Sequence, residues 1–184
     1  MGARPQAPFS QPLYSGGFNM FELKLLPQEA IPHAIERAEH YRLLNEPRVA
    51  ESICQDILDV DVDHEKALII LLLAITDQFS DSGGSTAKDA LEIIPRLEGE
   101  HDRNYYTGII YERQAKSRIE QQLPDARYDA YDLMISAMEW FEKSQALEST
   151  DNQDAILRWN SCARTIKEYK LKARPDDDFH PYLE

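Results

Sequence analysis

The chain has 184 residues, with 33 acidic against 20 basic side chains and a formal charge of −13 at pH 7. That length suits one domain, or one short repeat array with tails. A phosphate backbone and an anionic membrane are both repelled by such a field, so neither nucleic acid nor a membrane is expected as a partner, whereas solubility and a basic partner suit it.

From the N-terminus, residues 1–19 hold Pro5, Pro8, Pro12, Gly16 and Gly17 among few core formers and read as a disordered leader. They lack the basic-then-apolar order of a secretion signal. A helical domain is expected over 20–172. Pro32 sits where a first-turn proline is tolerated, and Ala34, Ile35, Ala38, Tyr41 and Leu44 recur behind it at helical spacing. Asn45-Glu46-Pro47 ends this first helix and opens a second, with Val49, Ala50, Ile53, Cys54, Ile57 and Leu58 inward. A third helix, from about Glu65 to Phe79, is apolar nearly all round, which predicts neighbours on several sides. Its core, Ala67 to Ile75, is the longest apolar stretch and falls well short of the roughly 18 residues that cross a membrane.

The loop Ser80–Ser85 contains Gly83 and Gly84. Thr86 is a candidate N-cap for a fourth helix, with Ala87, Ala90, Leu91, Ile94 and Leu97 inward and Pro95 predicted to kink or shorten it. Asp102 can cap a fifth helix running to Gln122. A sixth, Asp125 to Glu148, follows the turn at Pro124. Asp151 or Asn152 caps a seventh that reaches about Leu171. From Ala173 the text ARPDDDFHPYLE reads as a flexible acidic tail over 173–184. No strand shows convincing alternation, so the fold class is all-α. Cys54 and Cys162 both fall on apolar stripes, without a CxxC partner, and read as buried reduced thiols. The location expected from these features is cytoplasmic.

Helices in succession with short turns invite a repeat comparison. Ala38, Tyr41 and Ala50 stand at the spacing of one hairpin, with Cys54 in place of an aromatic and Val62 in place of a proline. Ala67, Leu68, Leu71 and Ala74 fit a second, although Leu72 replaces a small residue and the Gly83-Gly84 loop is inserted before Ala90 and Ile94. Gly108, Tyr111, Ala137 and Phe141 mark a third. Over residues 31 to about 170 the chain resembles the tetratricopeptide repeat, a helix-turn-helix unit of about 34 residues. The third unit is longer than the family's by roughly four turns at 3.6 residues per turn. The resemblance implies a right-handed array of about three antiparallel helical hairpins with the third elongated. The seventh helix, through Ala155, Ile156, Trp159, Ala163 and Ile166, caps it.

The resemblance also implies that the first helix of each hairpin lines a concave groove that binds a partner segment. Those positions are Ile35, Glu39, Arg42 and Leu43, then Lys66, Ile69, Leu73, Thr76 and Asp77, then Tyr105, Ile109, Glu112 and Arg113. They mix apolar anchors with both charge signs and lack the lysine, arginine and asparagine cluster that clamps a C-terminal carboxylate, so an amphipathic segment is the expected ligand. Tyr105, Tyr106, Tyr111, Tyr128 and Tyr131 form the richest aromatic concentration.

No catalytic constellation and no cofactor is expected. His33 and His40 lie roughly 10.5 Å apart along one helix, too far to grip one ion. Gly83-Gly84 lacks the lysine of a phosphate cradle. The leading expectation is therefore an interaction module. The rivals are a structural subunit that buries its apolar second hairpin in a homodimer or fixed complex, and a helical enzyme or small-ligand binder using the tyrosine region.

Overall fold

In the computed structural model of the protein, residues 22–81, 84–121, 123, 125–147 and 153–175 are described. The leader 1–19, Gly83, the expected caps Asp151 and Asn152, and the tail beyond Pro175 lie outside them. The described chain forms seven α-helices and two short 3-10 turns, with no strand among the described residues.

Helix α1 (Ile31–Leu43) takes Pro32 in its first turn, where a missing amide proton costs nothing. It ends on Asn45 at φ 60°, and the amides of Asn45 and Glu46 donate back to Arg42 O and Tyr41 O at 3.0 and 2.9 Å. That reciprocal pair closes the helix, and asparagine tolerates the left-handed residue it needs. Leu44, expected inward, is carried out to 54% exposure by this turn. Helix α2 (Pro47–Leu58) again opens on proline and buries Ala50, Cys54 and Ile57.

His64 caps α3 (Glu65–Thr76): its Nδ1 accepts the amide proton of Ala67 at 3.2 Å. This helix stops three residues before Phe79, in successive turns where Gln78 Nε2 donates to Ala74 O at 3.1 Å and to Glu51 at 2.7 Å. Helix α4 (Ala87–Leu91) has only five residues. Thr86 and Asp89 cap it reciprocally, and Pro95 then sits in the 3-10 turn Ile94–Arg96 because it has no amide to continue the ladder. Helix α5 (Glu100–Gln121) begins two residues before the expected Asp102, and α6 (Ala126–Gln145) follows Asp125 at φ 64°. Helix α7 (Asp154–Glu168) ends in the same way as α1. Lys170 is left-handed at φ 50°, its amide reaches Lys167 O at 3.3 Å, and that of Leu171 reaches Ile166 O at 3.0 Å. Leu171 is thereby folded back and buried.

The closest packing is between chain neighbours: α5 on α6, α1 on α2, α6 on α7 and α2 on α3. The odd-numbered helices also touch one another, α1 on α3 and α3 on α5. Two cores result. One is aliphatic and gathers Ile31, Ile35, Cys54, Ile57, Leu68 and Leu72 from the first three helices with Ile93 and Leu97 from either end of the 3-10 turn after α4. The other joins Ile109, Met134, Ala137, Phe141, Ala155 and Cys162 from the last three. Leu73 and Tyr106 pack on both. A Cβ built on Gly108 lies 2.6 Å from Phe141 Cε1, so glycine is what lets α5 approach that ring. No helix among the described residues is long and apolar enough to cross a membrane.

Candidate functional site

Among the described residues, side-chain contacts link the odd-numbered helices in two centres, one joining α1, α3 and α5 and the other joining α5 and α7. Because α1, α3 and α5 lie side by side, residues near their C-terminal halves converge. Arg42 Nε of α1 donates to Asp77 Oδ2 at 2.8 Å. From α5, Arg113 Nη1 reaches the other Asp77 oxygen, the Thr76 hydroxyl at 2.8 Å and the Leu73 carbonyl at 3.2 Å. One carboxylate at the end of α3 therefore ties three helices together. On the adjacent side of α5, Glu112, the residue before Arg113, has no solvent exposure. Its two oxygens meet Lys116 Nζ at 2.6 Å and Arg158 Nη1 of α7 at 3.4 Å.

Electrostatics follow from this crowding. Burial lowers the Arg113 pKa, with Asp77 opposing the shift and the neighbouring Arg42 and Arg158 charges adding to it. At Arg158 burial also works against the charge, but the Tyr105 hydroxyl and the Glu112 carboxylate outweigh it and raise the pKa. The Arg158 charge is felt at Arg113, and the two carboxylate centres sit on neighbouring residues of α5, Glu112 and Arg113. Burial pushes the Cys54 and Cys162 thiols up to about 12, so neither supplies a thiolate near neutral pH.

The structure places the thirteen expected groove residues in different surroundings. Arg42, Leu73, Thr76, Asp77, Glu112 and Arg113 meet in the network just described. Glu39 and Lys66 form a separate pair at 2.9 Å, half-solvated, on α1 and α3. Ile69 and Leu73 are half-buried against the aliphatic core, Tyr105 is half-buried, and Leu43 is 86% exposed. Ile35 and Ile109 are corrections to the expected surface: both are buried, at 4% and 1%. Ile35 is covered by the aliphatic core. Ile109 is covered because α5 is flanked on most sides, with buried residues in nearly every direction around it. Thr76 and Glu112 are also buried and brace the network from beneath.

Sequence reasoning omitted Lys116 and Arg158. A signal for Arg158 was present. It stands between Ala155 and Cys162 at helical spacing, an arginine on an otherwise inward stripe, and such a charge requires a buried partner. Glu112, between Gly108 and Ala115, is the matching case on α5.

Two expectations for rival sites also meet the structure. The apolar circumference of α3 is covered inside the chain, with Leu68, Ile70, Leu71, Leu72 and Ile75 all buried. Tyr105 packs edge-on to Tyr106 at 5.2 Å and against Phe141 at 5.8 Å, while Tyr128 stands apart beside Arg174. Tyr105 and Tyr106 are thus partly engaged in packing. A depression of about 520 Å³ is lined by Tyr128 together with Leu123, Arg127, Lys170 and Lys172. No protein-family model, no curated protein and no solved structure matches this chain.

Proposed function

We propose that the chain is a protein–protein interaction module. It is a right-handed, tetratricopeptide-like array of three helical hairpins, the third elongated, closed by α7. Its function is to hold an extended or helical segment of another protein on the concave face of the odd-numbered helices, without catalysing a reaction. The observation that carries this reading is the shared face itself. Contacts of α1 with α3 and of α3 with α5 run alongside the stronger contacts between successive helices. That is the arrangement in which first helices line an inner surface. Half-buried Ile69, Leu73 and Tyr105 supply apolar anchors beside polar groups held in fixed positions by their own partners, and such a mixture suits an amphipathic segment.

The homodimer reading retains one observation in its favour. Leu43, Leu44 and Val49 are exposed together at the α1–α2 turn, at 86, 54 and 38%. A size that grows with concentration and reverts on Leu43→Ser, Leu44→Ser substitution favours it.

The groove reading is tested by affinity capture from the source cells with the wild type and a Leu73→Glu, Tyr105→Ala double variant, after circular dichroism shows both folded. Lys66→Glu serves as a second, surface-only variant. A protein retained by the wild type and lost by both variants supports the groove. Equal retention by all three contradicts it.

A further inference from the structure

We infer that the segment held on the shared face is acidic, and that side-chain carboxylates of the partner complete the Arg42–Arg113–Arg158 strip; this rests on the groove reading above. The overall charge of −13 suggests a basic partner, and the local geometry reverses that expectation. Around the two centres, four cations (Arg42, Arg113, Lys116 and Arg158) pair with two carboxylates among the described residues, Asp77 and Glu112. A surplus of two positive charges is therefore built into a chain that is strongly negative elsewhere.

The donors are unequally used. Arg42 engages Asp77 through Nε alone, and Arg113 spends Nη1 on three acceptors. Among the described residues these are the hydrogen bonds the two guanidiniums make, and each side chain keeps about a fifth of its surface exposed, at 21% for Arg42 and 22% for Arg113. A guanidinium braced on one edge presents its other edge in a fixed plane, the geometry that takes a carboxylate in two parallel hydrogen bonds. Asp77 and Glu112 act as braces that hold the cations in place without neutralising them.

Long-range repulsion does not decide the matter. At physiological ionic strength charges more than about 8 Å apart are largely screened, whereas contacts in a half-buried strip are screened much less. Lys66 is already balanced by Glu39 at 2.9 Å, so the surplus is confined to the strip and does not extend over the whole face. The apolar anchors Ile69 and Leu73 lie on α3 beside it. The matching ligand is a segment with aspartate or glutamate flanking one or two large apolar residues.

The test is selection of random dodecapeptides displayed against the full chain, followed by titration of the selected peptides. Aspartate and glutamate next to an apolar residue are expected to be enriched. Affinity for those peptides should fall roughly tenfold or more in an Arg42→Gln, Arg113→Gln variant and by a smaller factor in Arg42→Lys, which keeps the charge but loses the planar two-donor edge. Replacing each acid of a selected peptide by its amide should produce a similar loss. Enrichment of neutral or basic peptides that the Lys66→Glu and Leu73→Glu variants no longer bind overturns the acidic inference and leaves the groove standing. Acidic peptides that bind all variants equally overturn the assignment to this strip. Absence of any enriched peptide overturns the inference as well, and the groove then stands or falls on the capture experiment.

Discussion

The two cores of this protein are built on different principles. The first, under α1 to α4, is aliphatic, and α3 fills it by being apolar on nearly every side. The second, under α5 to α7, depends on fit: one glycine, several alanines and one phenylalanine set how closely two long helices approach. A core filled by volume tolerates exchange of one aliphatic chain for another, while one set by close approach does not. The difference also bears on function, because the strip of arginines and carboxylates runs across the seam between the two cores, where Leu73 and Tyr106 touch both.

Substitutions can break this comparison or sharpen it. Phe141→Ala is expected to have the largest effect, about 3–5 kcal/mol of unfolding free energy by denaturant titration, since a fully buried ring is lost and α5 and α6 are left with a void. Gly108→Ala comes next. Helix propensity alone favours it by roughly 0.5–1 kcal/mol. The clash with Phe141 should reverse the sign and make it destabilising by about 1–3 kcal/mol. In a Phe141→Leu background the penalty of Gly108→Ala should shrink or change sign, and an undiminished penalty would remove the close-approach account. Leu72→Met, at a fully buried site of the first core, should cost less than about 1.5 kcal/mol. If it costs as much as Gly108→Ala, the two cores are not different in kind.

The smallest effect is at the edge of the first core. Thr86→Ala removes the α4 cap and should cost about 1 kcal/mol. Thr86 also holds the Asp89 carboxyl below its ordinary value through its amide and hydroxyl. A lowered carboxyl contributes stability that is present above the unfolded pKa and is lost as pH falls through the folded one. The penalty of Thr86→Ala should therefore diminish in acid, which thermal melts across that range will show.

Much of the fold was legible because single residues dictate it. Pro32 and Pro47 open helices, Thr86 caps one, Pro95 cuts α4 short, and Gly108 stands where backbones approach. What escaped was set by tertiary contact. His64 caps α3 with a ring nitrogen that propensity rules do not rank, and Lys170 ends α7 in a conformation more often taken by glycine or asparagine. The candidate site was half legible. Positions on α1, α3 and α5 could be named from the register of the repeat that the sequence resembles, but Ile35 and Ile109 are core, because the number of neighbours around each helix decides exposure and the register does not report it. Arg158 was missed because α7 was read as a cover, although a charge on its inward stripe pointed to a buried partner.

The most direct test of the docking face is site-specific photocrosslinking in the source cells, with a benzophenone side chain placed in turn at Ile69 of α3 and at Glu139 of α6. The account predicts a covalent partner adduct from position 69 and none from position 139. An adduct from position 139 with none from position 69 would contradict it and place the docking surface on the even-numbered helices.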